Sequence, residues 1–142
     1  MTALDRTLAT TFRAARWAAT NGNPVCPCCF DGDDLTKPTP DPLIPELSRY
    51  RCLVCHRTFS DVKGTAFRVC APAPLAILAH LVLVPDPRLI PGVSSKEVCR
   101  YWGTQERLRL SPLAAAWRAE LELAKITPAR LAKQITAQRR AA

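Results

Sequence analysis

Residues 49–65, RYRCLVCHRTFSDVKGT, carry the reading that decides the fold. Cys52 and Cys55 form a C-x2-C knuckle, and Cys26 with Cys29 form a second one upstream in VCPCCF, residues 25–30. Two such pairs at this separation match the pattern of a four-cysteine zinc site. A gap of two residues lets both thiolates of one turn reach one ion, and two turns close a tetrahedral shell. Four protein ligands leave no open position for water, so the spacing predicts one structural Zn²⁺ rather than a catalytic one. Cys28 could pair with Cys26 instead. The C-x2-C register, however, gives two matching knuckles and keeps Pro27 inside the turn, so Cys28, Cys70 and Cys99 are read as non-ligands.

Three other uses of these cysteines compete with zinc. Disulfides fit an exported protein, but the N-terminus is amphipathic and arginine-bearing without an apolar signal core, which points to the reducing cytoplasm. Cys52-Leu53-Val54-Cys55-His56 matches a haem-attachment pattern. That reading leaves the upstream pair unexplained and offers only His80 or Met1 as the distal ligand, so His56 is expected on the surface at the knuckle turn. A thioredoxin-like redox pair lacks a βαβ setting and has no use for a second C-x2-C.

The run CPCC…RYRCLVCHRTFSDVKGT resembles the N-terminal zinc ribbon of bacterial insertion-sequence transposases and of their short DNA-binding regulators. That family reads CPxCG, a variable loop, then RYRCxxCxRTFSxxTGT, followed by a helix-turn-helix. Arg49, Tyr50, Cys52, Cys55, Arg57, Thr58, Phe59, Ser60, Gly64 and Thr65 carry the likeness, which is dense over residues 16–66 and loose over 67–103. Phe30 and His56 depart from it, standing where the family has knuckle glycines that relieve backbone strain. The resemblance implies a small α+β fold: a four-cysteine ribbon with short strands, then an all-helical, helix-turn-helix-like region. The corresponding units are an N-terminal helix (1–20), the ribbon (21–69) and the helical region (70–142).

Charge is distributed unevenly along the 142 residues, whose formal net charge is +8. The loop between the knuckles holds Asp31, Asp33, Asp34, Asp41 and Glu46, whereas residues 96–142 hold ten Lys and Arg against four Glu. Basic charge in the second knuckle and the C-terminal third suits a polyanionic partner; a solvated basic surface is the plain alternative. With 48% apolar but only 6% aromatic residues, the core is expected to be aliphatic and helical outside the ribbon. The longest apolar run, Leu75–Val84, is too short to span a bilayer, for which ~20 residues are needed.

Along the chain, Leu4, Leu8, Phe12 and Ala15 make a helical stripe within 3–19, stopped by Asn21-Gly22-Asn23-Pro24. Trp17 is expected to cover the ribbon core, to which Tyr50, Leu53, Val54 and Phe59 supply apolar mass. Four prolines make 31–46 an exposed extended loop rather than a scaffold for paired catalytic carboxylates. Residues 49–51 and 58–60 are expected as strands. Pro72 and Pro74 open a buried helix over 75–84. Ser94 and Glu97 form a capping-box pattern for a helix with Val98, Tyr101 and Trp102 on its apolar face, and Gly103 is expected to end it. Ser111-Pro112 and Thr127-Pro128 start two further helices. The first carries the stripe Leu113, Trp117, Leu121 and Ala124. The second buries Leu131 and Ile135 and exposes Arg130, Lys133, Arg139 and Arg140.

These readings converge on a non-catalytic DNA-binding protein related to transposases, in the manner of a transposon-derived regulator. Arg51, Arg57, Lys63, Lys96, Arg107, Arg109 and Arg118 are the candidate contacts to duplex DNA, with a transposase or a second copy of the chain as further partners. Two other readings are a truncated transposase subunit and an interaction module that docks on a transposase or polymerase. Catalysis is not expected: after Ala66 the carboxylates are Asp86, Glu97, Glu106, Glu120 and Glu122, with no pair on a strand to hold two metals.

Overall fold

The structure is a computed structural model that describes residues 2–62, 65, 67 and 73–141, for residues 95, 98, 99, 101–103 and 141 the backbone alone. Lys63, Gly64 and Cys70 therefore lie outside the described residues, as do the side chains of Cys99, Val98, Tyr101 and Trp102.

Helix α1, Ala3–Arg16, starts in a full capping box: Thr2 Oγ1 accepts from the Asp5 N–H, and Asp5 accepts from the Thr2 N–H. Its stripe buries Leu4, Leu8, Phe12 and Ala15 as the periodicity requires. The helix stops at Arg16, not near residue 19, because the chain tightens into a 3₁₀ turn over Ala18–Thr20 and reverses at Asn21 and Gly22, both at positive φ.

A three-stranded antiparallel sheet follows, in the order β1 (Thr39–Pro40), β2 (Ser48–Arg51), β3 (Thr58–Ser60). Tyr50 faces Phe59 across β2 and β3, and their rings stack at 5.2 Å. Strands β2 and β3 were legible from sequence; β1 was not, because Pro40 denies a ladder donor and is tolerated at an edge such as this one. The acidic loop is exposed for much of its length but also turns Ile44 and Leu47 wholly into the core, with the Asp41 carboxylate accepting the N–H groups of Leu43 and Ile44. Leu53 and Val54 are 53% and 55% exposed, so the ribbon's apolar mass comes instead from Trp17, Tyr50 and Phe59.

Helix α2, Pro74–Leu83, is buried at every position from Leu75 to Val82. It packs against α1, α3 (Ser95–Arg109), α4 (Pro112–Leu123) and α5 (Pro128–Ala141). One apolar cluster joins Leu8 and Phe12 of α1, the α2 residues, Trp117 and Leu121 of α4, and Leu131 and Ile135 of α5. Phe12, Phe67 and Trp117 meet edge to face at 5.0–5.4 Å, and the buried Trp117 indole donates to Thr11. His80 lies inside this core, where burial pushes its pKa down.

Three local expectations are corrected. Gly103 does not end its helix: α3 runs on to Arg109 because Thr104, Gln105 and Leu108 are buried and hold the last turns in place. Ala124 is exposed, and Ile126 takes the core position after Leu121. The Glu97 carboxylate leaves the capping box half made; the Glu97 N–H donates to Ser94, while the carboxylate binds Arg139 at 2.8 and 2.9 Å. That pairing takes Arg139 out of the exposed face of α5 and ties the first turn of α3 to the last turn of α5.

Candidate metal centre

Both knuckles close with the same two backbone hydrogen bonds. The Cys26 N–H donates to the Asp31 carbonyl and the Phe30 N–H to the Cys26 carbonyl; the Cys52 N–H donates to Arg57 and the His56 N–H to Cys52, all at 2.9 Å. So tight a loop puts the residue four places after the first cysteine in the left-handed region. Phe30 has φ 60° and His56 φ 63°. These are the two positions where glycine would be free of strain, and an L-residue there costs about 1–2 kcal/mol.

The Sγ atoms of Cys26, Cys29, Cys52 and Cys55 all lie within 4.8 Å of one another. Cys26 is 3.5 Å from Cys55 and Cys29 is 3.3 Å from Cys52, too far for a disulfide at about 2.05 Å. The four thiols can hold one metal ion. Cys28 is exposed and points away from them, accepting from Arg57 Nη1 at 2.7 Å. The haem reading has no support in this arrangement, since Cys52 and Cys55 face the upstream pair and His80 is enclosed by the helical core.

The backbone is arranged to stabilise thiolates. Burial pushes the Cys26 thiol up, but the N–H groups of Cys29 and Cys28, with the neighbouring Cys55 and Cys29 sulfurs, bring it down to about 7. At Cys29 the Asp31 N–H acts in the same sense, yet the Cys52, Cys26 and Cys55 sulfurs and burial push the thiol up to about 12. At Cys55 the Arg57 N–H lowers, while burial and the Cys26 and Cys52 sulfurs raise and prevail. Crowding of sulfurs thus opposes ionisation at Cys29 and Cys55, and a cation among them would relieve it.

Behind the cluster, Trp17 packs with Cys26, Tyr50, Cys52 and Phe59. Asp61, fully buried, ties this layer to α1. Its Oδ1 accepts from the Trp17 indole at 2.9 Å and the Tyr50 hydroxyl at 3.1 Å; its Oδ2 accepts from the Ser48 N–H at 2.8 Å and Arg13 Nε at 3.2 Å. Burial, then the Asp61 charge, push the Tyr50 hydroxyl up to about 12. Sequence reasoning passed over Asp61. Its only signal was a single acid in the otherwise basic run 49–63, one residue past a strand.

The expected DNA contacts are spread over β2, the second knuckle, α3 and α4. Arg51 is exposed, and so is Arg57, which is bonded to Cys28. Lys96 and Arg107 are exposed on α3 and share one face with Arg100, within about 40° at 100° per residue; Arg100 had not been singled out. Arg109 pairs with Glu106 at 3.3 Å and Arg118 with Glu122 at 3.1 Å. Both also line a groove of about 200 Å³ floored by Leu81, Val82 and Leu108. Among the described residues no helix is long and apolar enough to cross a membrane. In comparisons with known proteins the chain matches no family model, no curated protein and no solved structure.

Proposed function

We propose that the chain is a non-catalytic zinc-ribbon protein that binds duplex DNA, in the manner of a transposon-derived regulator. The observation that carries the zinc reading is the pair of matched knuckles converging four sulfurs within 4.8 Å. A tetrahedral Zn²⁺ with Zn–S bonds of about 2.3 Å requires sulfurs about 3.8 Å apart, and the 3.3 and 3.5 Å edges sit close to that value. Zinc would draw its ligands from Cys26, Cys29, Cys52 and Cys55 and supply cross-linking, not chemistry. The link to transposases rests on residues 49–65 and the upstream CPCC.

Charge supports the DNA reading. Four of the five acids that follow Ala66 are engaged by arginines: Asp86 by Arg88, Glu97 by Arg139, Glu106 by Arg109 and Glu122 by Arg118. This leaves Lys96, Arg100 and Arg107 as a cationic face on α3, and it supports a non-catalytic reading, since carboxylates held by arginine are poor metal ligands. In the helix-turn-helix reading, α3 and α4 are the two helices, with the turn at Leu110–Ser111. Titrating the zinc-loaded protein, and protein stripped by a chelator, against a short duplex tests the proposal. Zinc-dependent binding that weakens with salt is expected; binding indifferent to both zinc and salt refutes it.

An interaction module is the second reading. Phe30, Leu53 and Val54 at the knuckle tips are 79%, 53% and 55% exposed, and apolar residues at such tips suit a protein partner. Salt-resistant capture of a transposase or polymerase subunit, abolished by Phe30→Ser, would favour it over DNA.

A further inference from the structure

From Leu123 to Ala142 the chain holds no acid, and its basic residues are Lys125, Arg130, Lys133, Arg139 and Arg140. Helix α5 sorts four of these. Arg139 turns inward to Glu97, while Gln134 and Gln138 donate to Asp5 at 2.7 and 3.1 Å and fix the helix to α1. Leu131 and Ile135 face the core with no exposure. Arg130, Lys133 and Arg140 are exposed on the opposite side, around Ala137, with Lys125 exposed just before the helix. Among the described residues none of these four cations is in an ion pair, unlike Arg88, Arg109, Arg118 and Arg139.

We infer that this face of α5 tracks the phosphate backbone of a DNA duplex. The inference rests on the DNA reading above and relocates its main electrostatic surface from the expected ribbon and α4 arginines to α5. Arg130 to Arg140 spans about 15 Å at 1.5 Å per residue. A stripe of that length can reach several successive phosphates of one strand. On α5 the exposed residues around it are small, Ala129 and Ala137, and the large apolar residues of the helix, Leu131 and Ile135, are buried. A membrane-surface helix would need an exposed large apolar residue to bury in the bilayer interface. A protein interface would need an aromatic or apolar anchor. A row of unpaired cations on a helix clamped from behind is suited to phosphate contact, which positions without reading sequence.

The test titrates zinc-loaded full-length protein against a labelled mixed-sequence duplex of twenty base pairs, by fluorescence anisotropy from 50 to 200 mM salt. Glutamine keeps helix propensity while removing charge, so the variant is R130Q/K133Q/R140Q, with each single variant alongside to guard against loss of fold in the triple. Losing three phosphate contacts should make the slope of log K against log salt shallower by about 2.7, about 0.9 per single variant. Over that range the wild type should then lose about 40-fold more affinity than the triple variant. The charge-keeping R130K/R140K variant should bind as wild type. Wild-type slope and affinity in the triple variant would overturn the α5 assignment and leave the DNA reading standing. No duplex binding by the wild type at 50 mM salt overturns both. Binding to phosphatidylserine vesicles as tight as to the duplex, lost in the same variant, would replace DNA as the occupant.

Discussion

Asp61→Ala should be the most damaging single substitution outside the cysteines. The carboxylate is fully buried and receives four side-chain or backbone donors, from Trp17, Tyr50, Ser48 and Arg13. Alanine leaves the Trp17 indole and the Ser48 N–H without an acceptor, and each buried unsatisfied donor costs about 1–3 kcal/mol. Tyr50 can partly re-orient its hydroxyl. Arg13 is 39% exposed on its side chain and recovers water, so its ion pair adds little to the loss. The total comes to about 2–6 kcal/mol, centred near 4. With m near 2 kcal/mol/M, the urea midpoint should fall by about 2 M. Asp61→Asn keeps the Oδ1 acceptor but turns an amide toward the Ser48 N–H, so it should fall between alanine and wild type. Circular dichroism at 222 nm reports the helices and tryptophan fluorescence includes the Trp17 layer; both should shift together, because Asp61 joins α1 to the ribbon. An alanine variant within 1 kcal/mol of wild type would refute the network as the joint between the two.

Other positions give sharper local tests. His56→Gly should raise the thermal midpoint, since glycine removes a left-handed strain of about 1 kcal/mol, and Phe30→Gly should do the same; unchanged or lowered midpoints would mean the knuckle turns are not as described. Tyr50 has its hydroxyl pKa raised, so its contribution is complete below the unfolded value of about 10 and is lost as pH climbs toward 12. Ultraviolet difference titration of wild type against Tyr50→Phe should show a midpoint near 12, and one near 10 contradicts it. Glu97, held below the usual glutamate range chiefly by Arg139, stabilises fully above about pH 4.3 and loses that effect as pH falls through its depressed pKa. Glu97→Gln should therefore melt below wild type at pH 7 and converge with it in acid; a gap that persists at pH 2 would assign the effect to packing.

The parts of the fold legible in the sequence were those set by local chemistry. Ser111-Pro112 and Thr127-Pro128 marked helix starts because a cap hydroxyl and a proline at N1 act within one turn, and both N-caps form. The cysteine spacing and the two residues standing for glycine were equally local, and the backbone takes positive φ at both. What escaped was decided by distant partners. Gly103 looked like a stop until burial of Thr104, Gln105 and Leu108 carried α3 past it. Glu97 looked like half of a capping box, but Arg139, 42 positions away, claimed its carboxylate. Asp61 carried no periodic signal at all, because its donors come from residues 13, 17, 48 and 50. Leu53 and Val54 were read as core from their chemistry alone, whereas the knuckle turn that holds the cysteines inward forces its own tip outward.

The central claim is that one zinc ion sits among Cys26, Cys29, Cys52 and Cys55 and holds the ribbon together. Zinc K-edge X-ray absorption on the purified protein, with metal content measured on the same sample, tests it most directly. One zinc per chain is predicted, with a shell of four sulfurs at about 2.3 Å and no nitrogen or oxygen. Cys52→Ser should lose that shell together with the ribbon's fold, while Cys28→Ser should leave it unchanged. A mixed shell, or a fully folded ribbon free of metal, would contradict the account.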